Sequence, residues 1–402
     1  MPLQNLSINW QIRSYGARDT IPPGSPLRIL LDYRPALRQR TGVGEYVHEL
    51  ARALVATATP GRPESVTLFS SSWQHRLAPD VVPGATVIDR RIPVRMLNLL
   101  WHRAEWPSVE RVTGGAFDIV HSAHPLRLPS HRAAQVVTVH DLDFLTHPER
   151  TTAEIRRDYP ALAPAHIRAA DAVAVVSRHT ASEVVRLTGV AREQIFVCPL
   201  GRPDWAPRAA EPSGAPLLFL GSIEPRKNVG LLLDAYERLR AARDARGVTT
   251  PRLILAGGAG LDSGPILNRA AAPPLTAHVD VLGYVAPEAR QALYASAMAC
   301  ILPSHTEGFG LPALEAMTIG VPVVVADQGA LPEVVGSAGV LFRAGDAGAL
   351  AAALDALVSA PGDRARMRED GLVQSRAFSW ANTAERTREA WAHALERKAR
   401  RG

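Results

Sequence analysis

Short apolar runs recur along almost the whole chain with helical stretches between them, and this alternation limits the fold more than any other feature. In the first half the runs are LRILLD (27–32), SVTLFS (65–70), FDIVHS (117–122), AQVVTVHD (134–141), AVAVVS (172–177) and QIFVCPLG (194–201). Helical segments lie between several of them, one from Glu45 to about Ala56 and others over 161–170 and 179–188. Strands that are apolar throughout belong to a parallel sheet with helices on both faces. RPDWAPRAAEPSGAP (202–216) breaks the alternation, being rich in Pro, Gly and Ala. The pattern then restarts with PLLFLGS, RLILAGG, VDVLGY, MACILPS, VPVVVAD and AGVLFR. Two doubly wound α/β halves are predicted, over 27–203 and 216–380. A polar extension (1–26) precedes them and a charged amphipathic helix (381–402) follows. Ligands of such sheets bind outside the carboxyl ends of the strands, so the strand-to-helix loops are where chemistry belongs.

Size and composition agree with that outline. A chain of 402 residues exceeds one compact core and suits two or three domains. Hydrophobic residues at 47% and charged residues at 21% exclude wholesale disorder. No apolar run is long enough for a membrane helix, and MPLQNLSINWQIRSYGARDT contains no secretion-signal core. Cys198 and Cys300 cannot build a disulfide framework. A cytoplasmic location is the expectation. The net charge of +6 leaves acidic partners open, but aromatics are only 5% and the arginines are dispersed, which argues against a nucleic-acid stripe. Of 45 basic residues only Lys227 and Lys398 are lysines. An interior lysine in so arginine-rich a chain calls for a reason, and Lys227 is that lysine.

Three loops carry the strongest signals. In SHTEGFGLPALEAM (304–317), Gly308 and Gly310 permit a tight turn, and Pro312 fits the first turn of a helix. Glu307 and Glu315 bracket that turn, and paired carboxylates suit a polyol because each accepts several hydroxyl hydrogen bonds. The alternative is a loop with a capping acid and an exposed helix glutamate. In FLGSIEPRKNVGLLLDAY (219–236), a glycine turn at Gly221 leads to Arg226 and Lys227 at a helix start, with Asn228 as the expected cap. Two cations there oppose the helix dipole unless an anion such as a diphosphate joins them. In RTGVGEYVHEL (40–50), Gly42 and Gly44 start a helix that could cover a ligand from the first half, although G-x-G alone is weak evidence.

Weaker signals surround these. TVHDLDFLTHPE (138–149) places His140 at a strand end, where Asp141 or Asp143 could orient it; D-L-D has no supporting cluster that would make it a metal site. In VLGYVAPEARQALYASA (281–297), Tyr284 and Val285 could offer backbone groups to a flat base. RRIPVRMLNLLWHRAEWP (90–107) mixes arginines with Met96, Leu97, Leu100 and Trp101. Its segment 90–103 is a candidate for peripheral contact with an inner membrane face, against an ordinary helix with snorkelling arginines.

Taken together and in order, these segments resemble the family-4 retaining glycosyltransferases of the GT-B fold, in which two Rossmann-like domains face one another. The resemblance runs from Leu27 to about Arg400. It rests on E-x7-E (Glu307/Glu315), the E-P-R-K-N run, the T-G-V-G-E-Y start, V-H-D-L-D-F-L-T-H-P-E and the late F-S-W (378–380). The paired H-D-L and E-P-R-K-N motifs are most similar to the bacterial mannosyltransferase B-type branch, which works on cell-surface polysaccharides. Departures are the 1–26 extension and Asp327-Gln328-Gly329-Ala330, where that branch often has Asn or Ser.

The resemblance implies a donor domain in the second half, an acceptor domain in the first, and a last helix that packs back on the first. It implies that Arg226 and Lys227 bind the donor diphosphate. Glu307 and the amides of Gly308, Phe309, Gly310 and Leu311 would hold the donor sugar, and Glu315 the ribose. Gly42 and Gly44 would close over the diphosphate, and His140 would touch the sugar. The donor would be a nucleotide-diphosphate sugar, with GDP-mannose drawn from the branch alone, and the acceptor a glycan or a lipid-linked glycan. No cofactor and no metal are expected. A sugar-nucleotide epimerase on the same scaffold is the alternative enzyme; a pyridoxal-phosphate phosphorylase would need a lysine in the second half, where Lys227 is committed to phosphate. A basic anion- or nucleic-acid-binding protein is the non-enzymatic alternative.

Overall fold

The computed structural model describes residues 25–37 and 40–401, so nearly all of the 1–26 extension lies outside the described residues. The first half forms a seven-stranded parallel sheet. Its strands are β1 (Leu27–Asp32), β2 (Glu64–Ser71), β3 (Thr86–Arg90), β4 (Ile119–Ser122), β5 (Ala134–Val139), β6 (Ala172–Val175) and β7 (Ile195–Val197). They lie in the order β3-β2-β1-β4-β5-β6-β7. The second half forms a six-stranded parallel sheet from β8 (Leu217–Leu220), β9 (Leu253–Ala256), β10 (Val279–Gly283), β11 (Ala299–Leu302), β12 (Val323–Ala326) and β13 (Val340–Phe342), ordered β10-β9-β8-β11-β12-β13. In both sheets the order reverses beside the first strand, which opens a crevice at the carboxyl ends.

Apolar continuity marks the interior strands well: every residue of β5, β6, β11 and β12 is buried. The sequence reading lacks β3. TVIDR sits at the sheet edge, partly exposed and mixed in polarity, so it carries no continuous run. Two helices begin earlier than their periodicity indicates. One runs Gly42–Ala56, with both glycines inside its first turn. The other runs Ala153–Ala169 and includes Pro160 and Pro164. Interior prolines cost roughly 3 kcal/mol each in an isolated helix; here Ala163 and Ile167 are fully buried in a cluster with Phe144, and packing offsets the cost.

The segment 202–216, predicted as the boundary between the halves, packs against the second half. Arg208 is buried and donates to the carbonyl of Ala297, its amide donates to the carbonyl of Ile319 at 3.0 Å, and Glu211 pairs with Arg364 at 2.9 Å. The last helix, Trp380–Ala399, returns to the first sheet. It begins where Gly201 meets the backbone of Trp380 so closely that a Cβ would sit 2.2 Å from its nitrogen. Farther along, Arg388 forms a buried pair with Glu64 at 2.8 Å, and Trp391 donates its indole N–H to His121 at 3.2 Å.

Candidate active site

The carboxyl ends of both sheets enclose a cleft of about 520 Å³. Every residue given a donor-binding or catalytic role above lines it except Gly44. Gly44 is buried, and a Cβ there would lie 2.9 Å from the carbonyl oxygen of Pro35. Packing against that turn, not a ligand, accounts for this glycine. Gly42 has open space around it and stays on the cleft wall.

From β11 the chain passes through 303–310 into the helix Leu311–Thr318, with Gly310 at its N-cap at φ +103° and Pro312 in its first turn. The helix Gly42–Ala56 starts on the opposite wall. Two helix N-termini therefore face the same space, each with unpaired amides and partial positive charge. Gly308 is fixed by close approach across the cleft: its Cβ would fall 1.7 Å from the carbonyl oxygen of His140. Thr180 Oγ1 bridges that contact, lying 3.2 Å from the His140 carbonyl oxygen and 3.3 Å from that of Gly308.

Glu307 is buried at one end of the cleft. Lys227 Nζ donates to Oε1 at 2.5 Å, Ser304 Oγ donates to the same oxygen at 2.7 Å, and Arg226 reaches Oε2 at 3.3 Å. Burial alone would raise the Glu307 carboxyl; the charges of Lys227 and Arg226 outweigh it and hold it at about 2. Arg226 also meets Glu224 at 3.2 Å and Asp141 at 3.9 Å. The cation pair is thus not bare. Its counter-ion is the same carboxylate that the motif offers to a sugar. Pro225–Lys227 forms a short 3-10 turn, and Asn228 stands at the N-cap of Val229–Asp244 at φ +53°. Its side chain makes no capping bond, because the left-handed backbone turns it away from the amides it was expected to cap.

At the other end Glu315 is equally buried but surrounded differently. Tyr294 donates to it at 2.8 Å and Arg290 at 3.4 Å. Burial pushes its carboxyl up, and Arg290 only partly offsets this. Arg290 also donates to the carbonyl of Arg40 at 2.6 Å and faces Glu45 at 3.6 Å, so it joins the two halves. Sequence reasoning missed Arg290, since one arginine among 43 looks generic. Its spacing held a signal: Arg290 and Tyr294 are four apart on one helix and meet the same carboxylate. Also missed was Gly257, whose backbone passes so close to Gly221 that a Cβ would lie 1.8 Å from the Gly221 carbonyl oxygen.

His140 follows β5 and makes an edge-on ring contact with Tyr46, at 4.8 Å between centroids. Its Nε2 faces the carbonyl oxygen of Ala123 at 3.1 Å and must donate, which leaves Nδ1 an acceptor. Burial lowers its pKa to about 4, so the ring is neutral at pH 7. Neither aspartate orients it, contrary to the sequence expectation. Asp141 faces Arg226, and Asp143 is engaged by His147 at 3.2 Å and Arg150 at 3.7 Å. Tyr284 and Val285 follow β10 at the Glu315 end of the cleft, Tyr284 being 38% exposed.

Cations and a helix N-terminus stand with one buried carboxylate at one end of the cleft, and a second buried carboxylate stands at the other. Comparison with known proteins supplies the family. Residues 40–203 match the Glycosyltransferase Family 4 model, and 206–373 match the model for glycosyl transferases group 1. An O-antigen chain mannosyltransferase B from Escherichia coli is 31% identical over 286 residues, covering 68% of this chain and 74% of that protein. A D-inositol 3-phosphate glycosyltransferase from Acidothermus cellulolyticus is 29% identical over 405 residues, covering 90% and 86%. Among solved structures, sucrose-phosphate synthase from Thermosynechococcus elongatus superposes with a TM-score of 0.71 at 20% identity, over 90% of this chain and 98% of that one. Anabaena HepE, solved with UDP and glucose, gives 0.64 at 18% identity with the same coverage.

Proposed function

The chain belongs to the family-4 glycosyltransferases, and from that premise we propose that it moves a hexose, mannose in the first instance, from a nucleoside-diphosphate sugar to a hydroxyl of a glycan or glycolipid in cell-surface polysaccharide synthesis. The observation that carries the reading is the Lys227–Glu307–Arg226 cluster set between two helix N-termini. The donor bond is already activated, so the chief task is to stabilise charge on the departing diphosphate. Lys227 is a compact, mobile cation that can turn from Glu307 to a phosphate oxygen, while Arg226 offers a planar fork. Glu307, relieved of Lys227, accepts sugar hydroxyls.

Asp141 and Glu224, the other carboxylates at the Glu307 end of the cleft, are each engaged by Arg226, which favours transfer on one face with retained configuration over a covalent intermediate. The bond between the anomeric carbon and the phosphate oxygen breaks as the acceptor oxygen bonds to that carbon, and the acceptor proton passes to the leaving phosphate. Neutral His140 contributes an acceptor at Nδ1 to a donor-sugar hydroxyl. Lys227, Arg226 and the helix termini supply the positive charge, so turnover is expected to persist in EDTA; its loss there would overturn this part.

Lys227→Ala should lower kcat roughly 100-fold or more while nucleoside-diphosphate affinity falls far less. Unchanged kcat sinks the leaving-group role. A nucleotide-sugar panel, with the product's anomeric configuration read by NMR, tests donor and retention. An altered sugar released from donor alone would point to an epimerase instead.

Peripheral membrane contact through 90–103 belongs to the same reading. In the helix Val94–Ala104, Leu97 and Trp101 face the core, whereas Met96 and Leu99 are 50% and 58% exposed beside the exposed Arg95 and Arg103. No helix among the described residues is long and apolar enough to cross a membrane. Co-sedimentation with phosphatidylglycerol vesicles, lost in a Met96→Ser/Leu99→Ser double variant, is the expected result.

A further inference from the structure

A chain of buried side chains runs from the last helix to His140 on the cleft wall, and the proposed reaction gives its four members no role. Trp391, on the helix Trp380–Ala399, donates its indole N–H to His121 Nδ1 at 3.2 Å. An indole N–H only donates, so His121 Nδ1 is unprotonated. Burial lowers this histidine to about 3, and at pH 7 it is neutral with its one proton on Nε2. Nε2 donates to Thr138 Oγ1 at 2.8 Å. Thr138 Oγ1 lies 3.0 Å from the Tyr46 hydroxyl and can donate onward to it. The Tyr46 ring then makes its edge-on contact with His140.

His140 is held in two ways, and both lead back to His121. Its Nε2 donates to the carbonyl of Ala123, two residues beyond His121. Its ring is backed by Tyr46, which spans Thr138 with its hydroxyl and His140 with its ring. Thr138 and His140 are two residues apart, the spacing that sets side chains on one side of an extended segment. Apolar side chains of the same shapes would fill this space at little or no cost in stability. A buried polar chain that is satisfied throughout does something else: it fixes one arrangement, because turning any member leaves a buried donor unpaired.

We infer that Tyr46 is a positioning residue for His140, and that Trp391, acting through His121 and Thr138, makes the seating of the last helix a condition of that positioning. This rests on the proposed contact between His140 and the donor sugar. It ties the reacting centre to a helix none of whose residues lines the cleft.

The test measures kcat, nucleoside-diphosphate affinity and the NMR ring signals of isotope-labelled histidine in the full chain. Trp391→Phe keeps an aromatic ring and removes the indole donor. Thr138→Val and Tyr46→Phe each keep the shape and remove a hydroxyl, whereas Thr138→Ser keeps the hydroxyl. Glu64→Gln/Arg388→Gln strips a charged contact of the same helix that lies outside the chain. In the first three variants kcat should fall about fivefold or more, with nucleoside-diphosphate affinity within roughly twofold. Thr138→Ser and the charge-stripped control should keep kcat within roughly twofold. The His140 signal, identified by its loss in His140→Ala, should move in the first three variants alone. In a His140→Ala background Trp391→Phe should leave kcat nearly unchanged, since a positioning effect needs the residue it positions. A His140 signal that stays in place in all three overturns the inference. So does a kcat loss undiminished in the His140→Ala background, or an equal loss in the control. Thr138→Val decides the matter if Trp391→Phe fails to fold. Wild-type kcat in His140→Ala refutes its contact with the sugar instead, and absence of turnover by the wild type breaks the glycosyltransferase reading; in either case the His140 signal alone decides the coupling.

Discussion

Glu307 and Glu315 lie eight residues apart on one loop and helix, are the same residue type and are equally buried, yet they sit in opposite electrostatic surroundings. Glu307 lies between two full positive charges that hold its carboxyl at about 2. Glu315 has a phenol and a shared arginine, and its carboxyl is pushed up. The difference teaches that burial alone does not set a carboxylate's character; the partners brought by other segments do. Charge chemistry is concentrated at one end of the cleft, and hydrogen-bond recognition at the other.

Substitutions can break that contrast. The largest stability effect belongs to Glu307→Gln. The folded carboxyl at about 2 lies below its ordinary 4.5, so the ionised group stabilises the fold fully above pH 4.5 and loses this contribution as pH falls toward 2. At pH 7 the variant should lose about 3 kcal/mol, with the gap to wild type closing between those pH values in thermal or urea unfolding. An equal loss at pH 7 and pH 3 would refute the electrostatic account.

Glu315→Gln should act with the opposite sign. Its folded pKa is raised, so the ionised carboxylate is a cost at neutral pH that vanishes as pH falls through the folded pKa. The variant should therefore unfold at an equal or higher temperature at pH 7, while its donor KM rises roughly tenfold, about 1.4 kcal/mol, with kcat nearly kept. A fall in kcat without change in KM would move Glu315 out of ribose recognition. The smallest effect is that of Tyr294→Phe, which removes one hydroxyl donor. A donor KM a few-fold higher is expected, about 1 kcal/mol, and activity assays at subsaturating donor would register it.

Much of this was legible in residue order. Continuous apolar runs mark every interior strand, Lys227 stands out as an interior lysine in an arginine-rich chain, and Glu307 and Gly308 stand out in a glycine turn at a helix start. What stayed hidden depended on pairing between distant segments. Gly44 looked like a ligand-facing glycine until Pro35 appeared against it. Asn228 looked like a cap until its backbone turned left-handed. Lys227 looked available to phosphate, whereas Glu307, eighty residues away, already holds it. Strand β3 and Arg290 escaped for a simpler reason: an edge strand of mixed polarity and one more arginine carry little local information.

The return of the last helix has a consequence for how the chain is made. His121, on the central strands of the first sheet, receives its indole partner from Trp391, 270 residues later. At typical synthesis rates that interval is roughly 15–50 s. For that time the nascent first sheet waits on the ribosome with the groove for its final helix open. The emerging second half must fold beside it, and the seam closes only once Trp391 has followed.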